Sequence, residues 1–400
     1  MAENTSITMA QEKRYVHFLF LLFAIGIMAW VPRFPDLKEN LNLANNNGAF
    51  GTLLTTGAIG AITGLLTVGQ LVHKVGVFKV ATAGTIFLFS LFIAIVHIHN
   101  TALFAVANIA LGFGVMMLHI SFTTQSFHAQ QRSEHPVVTT ASGYWSAGSL
   151  VTAILSGLLI GNMGLALHVD ILSIICATLI LAILFKLRPI LVKANDDPEN
   201  TYRVRDLFKS FHLDWPVSIG MAFSVYLEFA IVDWGTIFTK ERLDIDSGLN
   251  AIPYIIFTIM MIIGRLNAKK IYQRYQIEKI ARYAAIFAGL SFGICISIAT
   301  HLPTSMKWYS YTLFILGFGL AGIGSSFLAP SFSSAANDRS PHPSAVVIGQ
   351  FGLMNNLLTT VLKYVVAGVI AASGSIALAL MVPAALIMAA STFTYVLKKD

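Results

Sequence analysis

Charge is what this sequence has least of. Asp, Glu, Lys and Arg make up only 11% of its 400 residues, against 56% hydrophobic residues, and the mean hydropathy is +0.72. A soluble domain carries about 25% charged residues, so the chain reads as an integral membrane protein. Cysteine is nearly absent. Cys176 and Cys295 are the only two, and both fall inside apolar runs, so a disulfide framework is not implied and two buried free thiols are expected. No Gly-x-x-x-x-Gly-Lys loop is present to cradle a nucleotide phosphate, which argues against an ATP-driven pump. No Cys/His cluster has metal-ligand spacing. His135-Pro136 and His342-Pro343 look like paired ligands, but their recurrence 207 residues apart marks them as equivalent turns. No enzymatic activity, cofactor or metal is therefore expected. The 26 Lys and Arg outnumber the 19 Asp and Glu, but these cations sit in short loops beside apolar runs, so a nucleic-acid partner is not expected.

What is present is a succession of apolar runs, each long enough to cross a bilayer at roughly 20 residues per helix. Twelve are predicted, near 15–32, 49–71, 78–97, 101–126, 137–160, 165–187, 214–238, 249–268, 279–300, 308–334, 344–371 and 374–396. The first run is followed by Trp30-Val31-Pro32-Arg33 rather than a small-residue cleavage site, so it is expected to be retained as a helix. With both termini cytoplasmic, 20 of the 26 cations fall on inner segments and five on outer loops (Arg33, Lys38, Lys240, Arg242 and Lys307), while Lys363 lies inside a span. That asymmetry sets the expected orientation. The polar stretch with Asp196-Asp197-Pro198-Glu199-Asn200, Arg203, Arg205 and Lys209 divides six spans from six. The expected organisation is an all-α integral membrane protein: an N-terminal six-helix bundle (1–187), a cytoplasmic linker (188–213) and a C-terminal six-helix bundle (214–400).

The two halves repeat each other. Leu111-Gly112-Phe113-Gly114 recurs as Leu316-Gly317-Phe318-Gly319, and Ser126-Phe127 as Ser331-Phe332. Arg132-Ser133-Glu134-His135-Pro136 recurs as Arg339-Ser340-Pro341-His342-Pro343. Trp30 and Phe34 match Trp234 and Phe238, and Lys38-Glu39-Asn40-Leu41 matches Lys240-Glu241-Arg242-Leu243. Matches at nearly constant offset and corresponding helix positions imply two six-helix halves in the same orientation, the parallel repeats of many secondary transporters.

The most informative stretch is 214–241, the seventh span, which carries Glu228 and Asp233. Ionisable groups inside a membrane cost about 2.5–3.5 kcal/mol each on insertion scales, so they face a cavity or a partner. On a helix the two acids point roughly 140° apart, so one can face a cavity and the other a neighbouring helix. Lys363 lies at similar depth in the eleventh span. Two readings stay open: a static ion pair locking the seventh helix to the eleventh, or a carboxylate that couples protons or binds substrate. His119 in the fourth span titrates near neutral pH and suits either a proton role or packing. Gln125, Gln350, Asn355 and Asn356 could hydrogen-bond a polar solute. Trp30, Tyr226, Trp234 and Trp145 could stack on a sugar ring or form an interfacial belt.

After the second span, Gly69-Gln70-Leu71-Val72-His73-Lys74-Val75-Gly76, with Lys79, resembles the loop signature of the major facilitator superfamily. His73 stands where that signature has aspartate, a departure that bears on the charge relay this loop makes in relatives. A weaker copy follows the eighth span as Gly264-Arg265-Leu266 with Lys269, Lys270 and Arg274. Trp30-Val31-Pro32-Arg33-Phe34-Pro35, with Leu41-Asn42-Leu43 and Phe50-Gly51, is similar to the first-helix signature of the fucose-permease-like branch, and Asp233-Trp234 to its seventh-helix motif. The resemblance implies the major facilitator fold and makes Gly69, His73, Lys74 and Gly76 a gating loop. It implies a secondary transporter in the cell membrane that works by alternating access and takes up a sugar or sugar-like molecule with a proton. An exporter of the same fold and a non-transporting receptor are the alternatives. Since one chain supplies both halves, a monomer is expected.

Overall fold

In a computed structural model, residues 7–132, 137–194, 214–244, 248–339 and 344–398 are described, with backbone alone at 139, 268–270, 272, 273, 337 and 344–349. The polar connector from 195 to 213 and the turns holding His135-Pro136 and His342-Pro343 lie outside the described residues. Every described regular element is helical, as a lipid solvent requires of chains that must satisfy their own backbone hydrogen bonds.

Helix α1 (Met9–Met28) starts ahead of the apolar run because Thr8 caps it. The Thr8 hydroxyl accepts from the Gln11 amide at 3.3 Å, and the Gln11 side chain accepts from the Thr8 amide at 3.0 Å. This is a capping box. The helix stops before Pro32, which has no N–H and disfavours helical geometry at Val31. A 3₁₀ turn (Val31–Arg33) leads into the short α2 (Phe34–Asn40). The second predicted span is likewise divided into α3 (Asn47–Thr55) and α4 (Gly57–Val75). Helices α5 (Val77–Ile95), α6 (Thr101–Gln131), α7 (Val137–Leu159) and α8 (Leu165–Leu187) complete the first half.

Helix α9 (Trp215–Leu243) opens the second half, with Asp214 capping the Val217 amide and Asp244 ending it in the left-handed region at φ 51°. It is followed by α10 (Ile252–Arg274), α11 (Ile277–His301), α12 (Lys307–Ser325), α13 (Leu328–Asp338), α14 (Ser344–Ser373) and α15 (Ile376–Ala390). Eleven spans among the described residues are long and apolar enough to cross a membrane. The expected fifth span is occupied by α7, a helix of 23 residues.

These helices group into two compact units that are interleaved in sequence. The first draws on Met1–Trp30, Thr56–Thr152 and Gly164–Asp206. Its core includes Phe23, which meets Phe122 edge-on at 5.7 Å and Trp145 at 5.1 Å. The second draws on Val31–Thr55, Ala153–Met163 and Leu207–Asp400. Helix α9 is its hub, touching α2, α10, α12, α13, α14 and α15. The segment from the first half of the chain enters this unit as α2 and α3, packed on α9 and α14 respectively.

Candidate functional site

Helix α9 carries its two mid-helix acids, Glu228 and Asp233, to different neighbours, as their angular separation requires. Asp233 meets Lys363 of α14 at 2.6 Å. Both side chains are largely covered, at 15% and 24% exposure, and the Lys363 ammonium also lies 5.6 Å from the centre of the Phe229 ring. A second tie joins the same helices: the buried Tyr226 hydroxyl donates to the Leu362 carbonyl at 2.8 Å. Glu228 turns instead toward α10, where Arg265 reaches its Oε2 at 3.3 Å. Arg265 is fixed independently by its Nε, which donates to the Ser326 carbonyl at 3.1 Å.

Arg265 corrects the sequence reading, which counted it among the loop cations after the eighth span. It lies well inside α10 and faces a carboxylate. The predicted span 249–268 already enclosed it, and a charge within a span signals a partner. Arg33 and Lys38 were likewise read as outer-loop cations, yet their side chains are 4% and 3% exposed. The proline break turns the chain so that α2 packs on α9, and both cations are covered there. Arg33 pairs with Asp36 and donates to the Met163 carbonyl at 2.9 Å.

Around them the repeated Lys-Glu dipeptides pair crosswise. Lys38 bonds Glu241, Lys240 bonds Glu39 at 2.6 Å, and Asn47 adds a bond to Glu241 at 2.9 Å. Beneath this layer the Thr236 hydroxyl donates at 3.4 Å to the Val31 carbonyl in the 3₁₀ turn. Trp234 is 3% exposed and lies flush against Gly51, where a Cβ would come within 2.4 Å of its ring.

The remaining candidates are dispersed. Gln350 is buried, and Asn355 on α14 has a buried side-chain oxygen without a partner among the described residues. In the first unit Trp30 packs edge-on against Phe92 at 5.2 Å, and His119 is exposed on α6. Gln125 is fully buried: its amide donates to Glu12 at 2.8 Å and accepts from the Val192 amide at 3.0 Å. Glu12 also takes Arg132 at 2.6 Å. Gly69 and Lys74 are exposed and His73 half-buried. Gly76 takes φ 86°, a turn that glycine favours, and the Val77 amide beside it donates to the Val192 carbonyl at 3.0 Å. The loop end is thus tied to the segment that leaves α8.

A family profile described as the Major Facilitator Superfamily matches residues 16–362. The chain belongs to the major facilitator superfamily. An uncharacterised MFS-type transporter of Yersinia pestis is 26% identical to it over 337 residues, covering 82% of this chain and 81% of the relative. An uncharacterised transporter of Sinorhizobium fredii is 25% identical over 329 residues, covering 80% and 81%. Among solved structures, the nucleoside transporter NupG superposes with a TM-score of 0.74 at 15% identity, covering 97% of this chain and 100% of that one. A D-xylose-proton symporter superposes at 0.72 with 12% identity and 96% coverage of each chain. At these identities the likeness to the solved structures is one of fold. This superfamily member is thus a multi-pass membrane protein with a transporter's fold.

Proposed function

We propose that this chain is a secondary active transporter that takes up a small polar, sugar-like solute together with a proton, by alternating access. The observation that carries the reading is the Glu228–Arg265 contact: an acid and a base within spans, joined at 3.3 Å and 25% and 32% exposed. Charges at that depth that are not sealed against a neighbour face a water-filled path, and a carboxylate there can exchange a proton as its partner moves. Asp233–Lys363, shorter and better covered, is the fixed pair that holds α9 to α14. The likeness of fold to a nucleoside transporter and a D-xylose-proton symporter supports a solute of that size and polarity, as does the resemblance of the Trp30–Pro35 stretch to the fucose-permease-like branch. The cation asymmetry supports a cell-membrane protein with both termini in the cytoplasm.

The test is uptake into proteoliposomes under an imposed pH gradient, using labelled sugars, sugar acids and nucleosides. Accumulation should collapse with a protonophore. Glu228→Gln should lose gradient-driven accumulation but keep counterflow exchange. Full uptake and unchanged pH dependence in both Glu228→Gln and Asp233→Asn would remove the coupling role.

A further inference from the structure

At the C-terminal end of α8 two neighbouring cations are set against rings of two different helices. The Lys186 ammonium lies 4.9 Å from the centre of the Tyr15 ring on α1. The Arg188 guanidinium lies 5.0 Å from that of Phe78 on α5, and Phe78 in turn meets Phe185 edge-on at 5.4 Å. A third cation, Arg14, stands 5.7 Å over Phe18. The rings hold these cations by cation–π attraction. Their stems run along the protein while the charged heads reach the level of lipid headgroups.

The rest of α8 presents an apolar stripe that ends at these cations. Ile171, Ile174, Thr178, Ala182 and Phe185 recur at three- and four-residue spacing and are all exposed, so they share one face of the helix. Thr178 leaves no donor in that face, because its hydroxyl returns to the Ile174 carbonyl at 2.7 Å. At 100° per residue Lys186 and Arg188 fall on opposite flanks of the stripe, roughly 160° apart around a helix some 10 Å wide. A single phosphate cannot touch both.

The surroundings carry one sign of charge. Lys79 is exposed beside Phe78, Lys193 follows Arg188, and α5 carries no acid. The acid of α1, Glu12, is buried between Arg132 and Gln125. That of α8, Asp170, lies at the opposite end of the helix against His97. The acids of the connector, from Asp196 onward, lie outside the described residues. We propose that α1, α5 and α8 bind an anionic phospholipid of the two-phosphate, cardiolipin type, with one phosphate on each flank and its acyl chains laid on the stripe between them. The Arg188 fork can take two oxygens of one phosphate, and Lys186 meets the other as a point charge. Basic sites of this kind between membrane helices suit such headgroups. The site borders a joint, since the Val77 amide donates to the Val192 carbonyl at 3.0 Å. A headgroup held there bridges α1, α8 and the start of α5, and it stabilises the first unit whatever the solute.

The experiment titrates full-length protein in dodecyl maltoside with cardiolipin, phosphatidylglycerol and phosphatidylcholine of matched chains. Native mass spectrometry counts bound lipid, and melting temperature is the second readout. Cardiolipin should bind tightest and raise the melting temperature, and phosphatidylcholine should do neither. Lys186→Gln and Arg188→Gln should each weaken cardiolipin about 5-fold, and together about 30-fold. The pair Lys186→Arg with Arg188→Lys keeps both charges and should bind as wild type does. Arg282→Gln, whose cation already meets Glu278 at 3.0 Å, should leave binding unchanged. Equal affinity for cardiolipin and phosphatidylcholine overturns the site, as it would if the acids of the connector took up its cations. So does phosphatidylglycerol binding as tightly as cardiolipin, or a preference that survives in the double glutamine variant. Equal stabilisation by inorganic phosphate would mean an anion site without a lipid and overturns it too. None of these results bears on the transport reading, which uptake tests separately.

Discussion

A carboxylate inside a membrane span is stabilised by a cation beside it, and the two mid-helix acids of α9, Glu228 and Asp233, each have one. Removing a single partner exposes the other to the full cost of desolvation, whereas removing both can be nearly neutral. Lys363→Met is therefore expected to destabilise the protein by up to about 3 kcal/mol, the lower end of the range for buried pairs, since both side chains retain some exposure. The double variant Asp233→Asn with Lys363→Met should recover most of that loss. Chemical denaturation in detergent, read by intrinsic fluorescence, measures both. The Trp234–Gly51 contact makes a second residue-scale prediction. A methyl group at Gly51 would press on the end of a rigid ring, so Gly51→Ala should cost about 1–3 kcal/mol through overpacking. Melting temperature reports it, and a value equal to wild type would mean that α3 has room to slide away from α9.

At the scale of elements, the repeat explains why corresponding helices differ. Prolines 32 and 35 break the first span, while Thr236 and Thr239 occupy the matching positions in α9 and let it run unbroken for 29 residues. Thr239 returns its hydroxyl to the Gly235 carbonyl of its own helix, and Thr236 bonds a carbonyl of the broken turn. The break turns α2 onto α9 and creates the crossed Lys-Glu pairs, whose two halves are not equivalent. Lys38 is buried and Glu39 is 57% exposed. Glu241→Gln, which strands a buried ammonium, should therefore cost about 3 kcal/mol, and Glu39→Gln no more than about 1 kcal/mol. The charge swap Lys38→Glu with Glu241→Lys should regain part of what Lys38→Glu alone loses. Equal melting temperatures for Glu241→Gln and Glu39→Gln would show that Lys38 finds another partner.

For the whole molecule, the distribution of cations predicts orientation. Moving Arg265 from loop to span lowers the inner count from 20 to 19 against five outer cations, and the second of those five, Lys38, is buried in protein, so the asymmetry persists. A green fluorescent protein fused after Asp400 should fluoresce, and an alkaline phosphatase fused there should be inactive. The reverse pattern would invert the topology and with it the direction of the proposed uptake. Sedimentation in detergent should return one chain of 43.4 kDa per particle if each chain carries both repeats of a working transporter.

The sequence by itself determined the fold class, because a lipid solvent leaves an apolar run of 20 residues little choice but a helix, and because duplication copied the same order of helices twice. It also located the charged span, since two acids among apolar residues stand out without any neighbours in view. Partner choice was only half legible. Lys363 was conspicuous as a lone cation within a span, whereas Arg265 was hidden by lying near a basic helix end that resembled a loop. The crossed pairs of Lys38-Glu39 with Lys240-Glu241 were visible as a repeat but not as contacts. Only the tertiary structure decided these pairings: a bond between residues some 200 positions apart depends on how the helices pack, and a one-dimensional pattern of hydrophobicity carries no information about which face meets which.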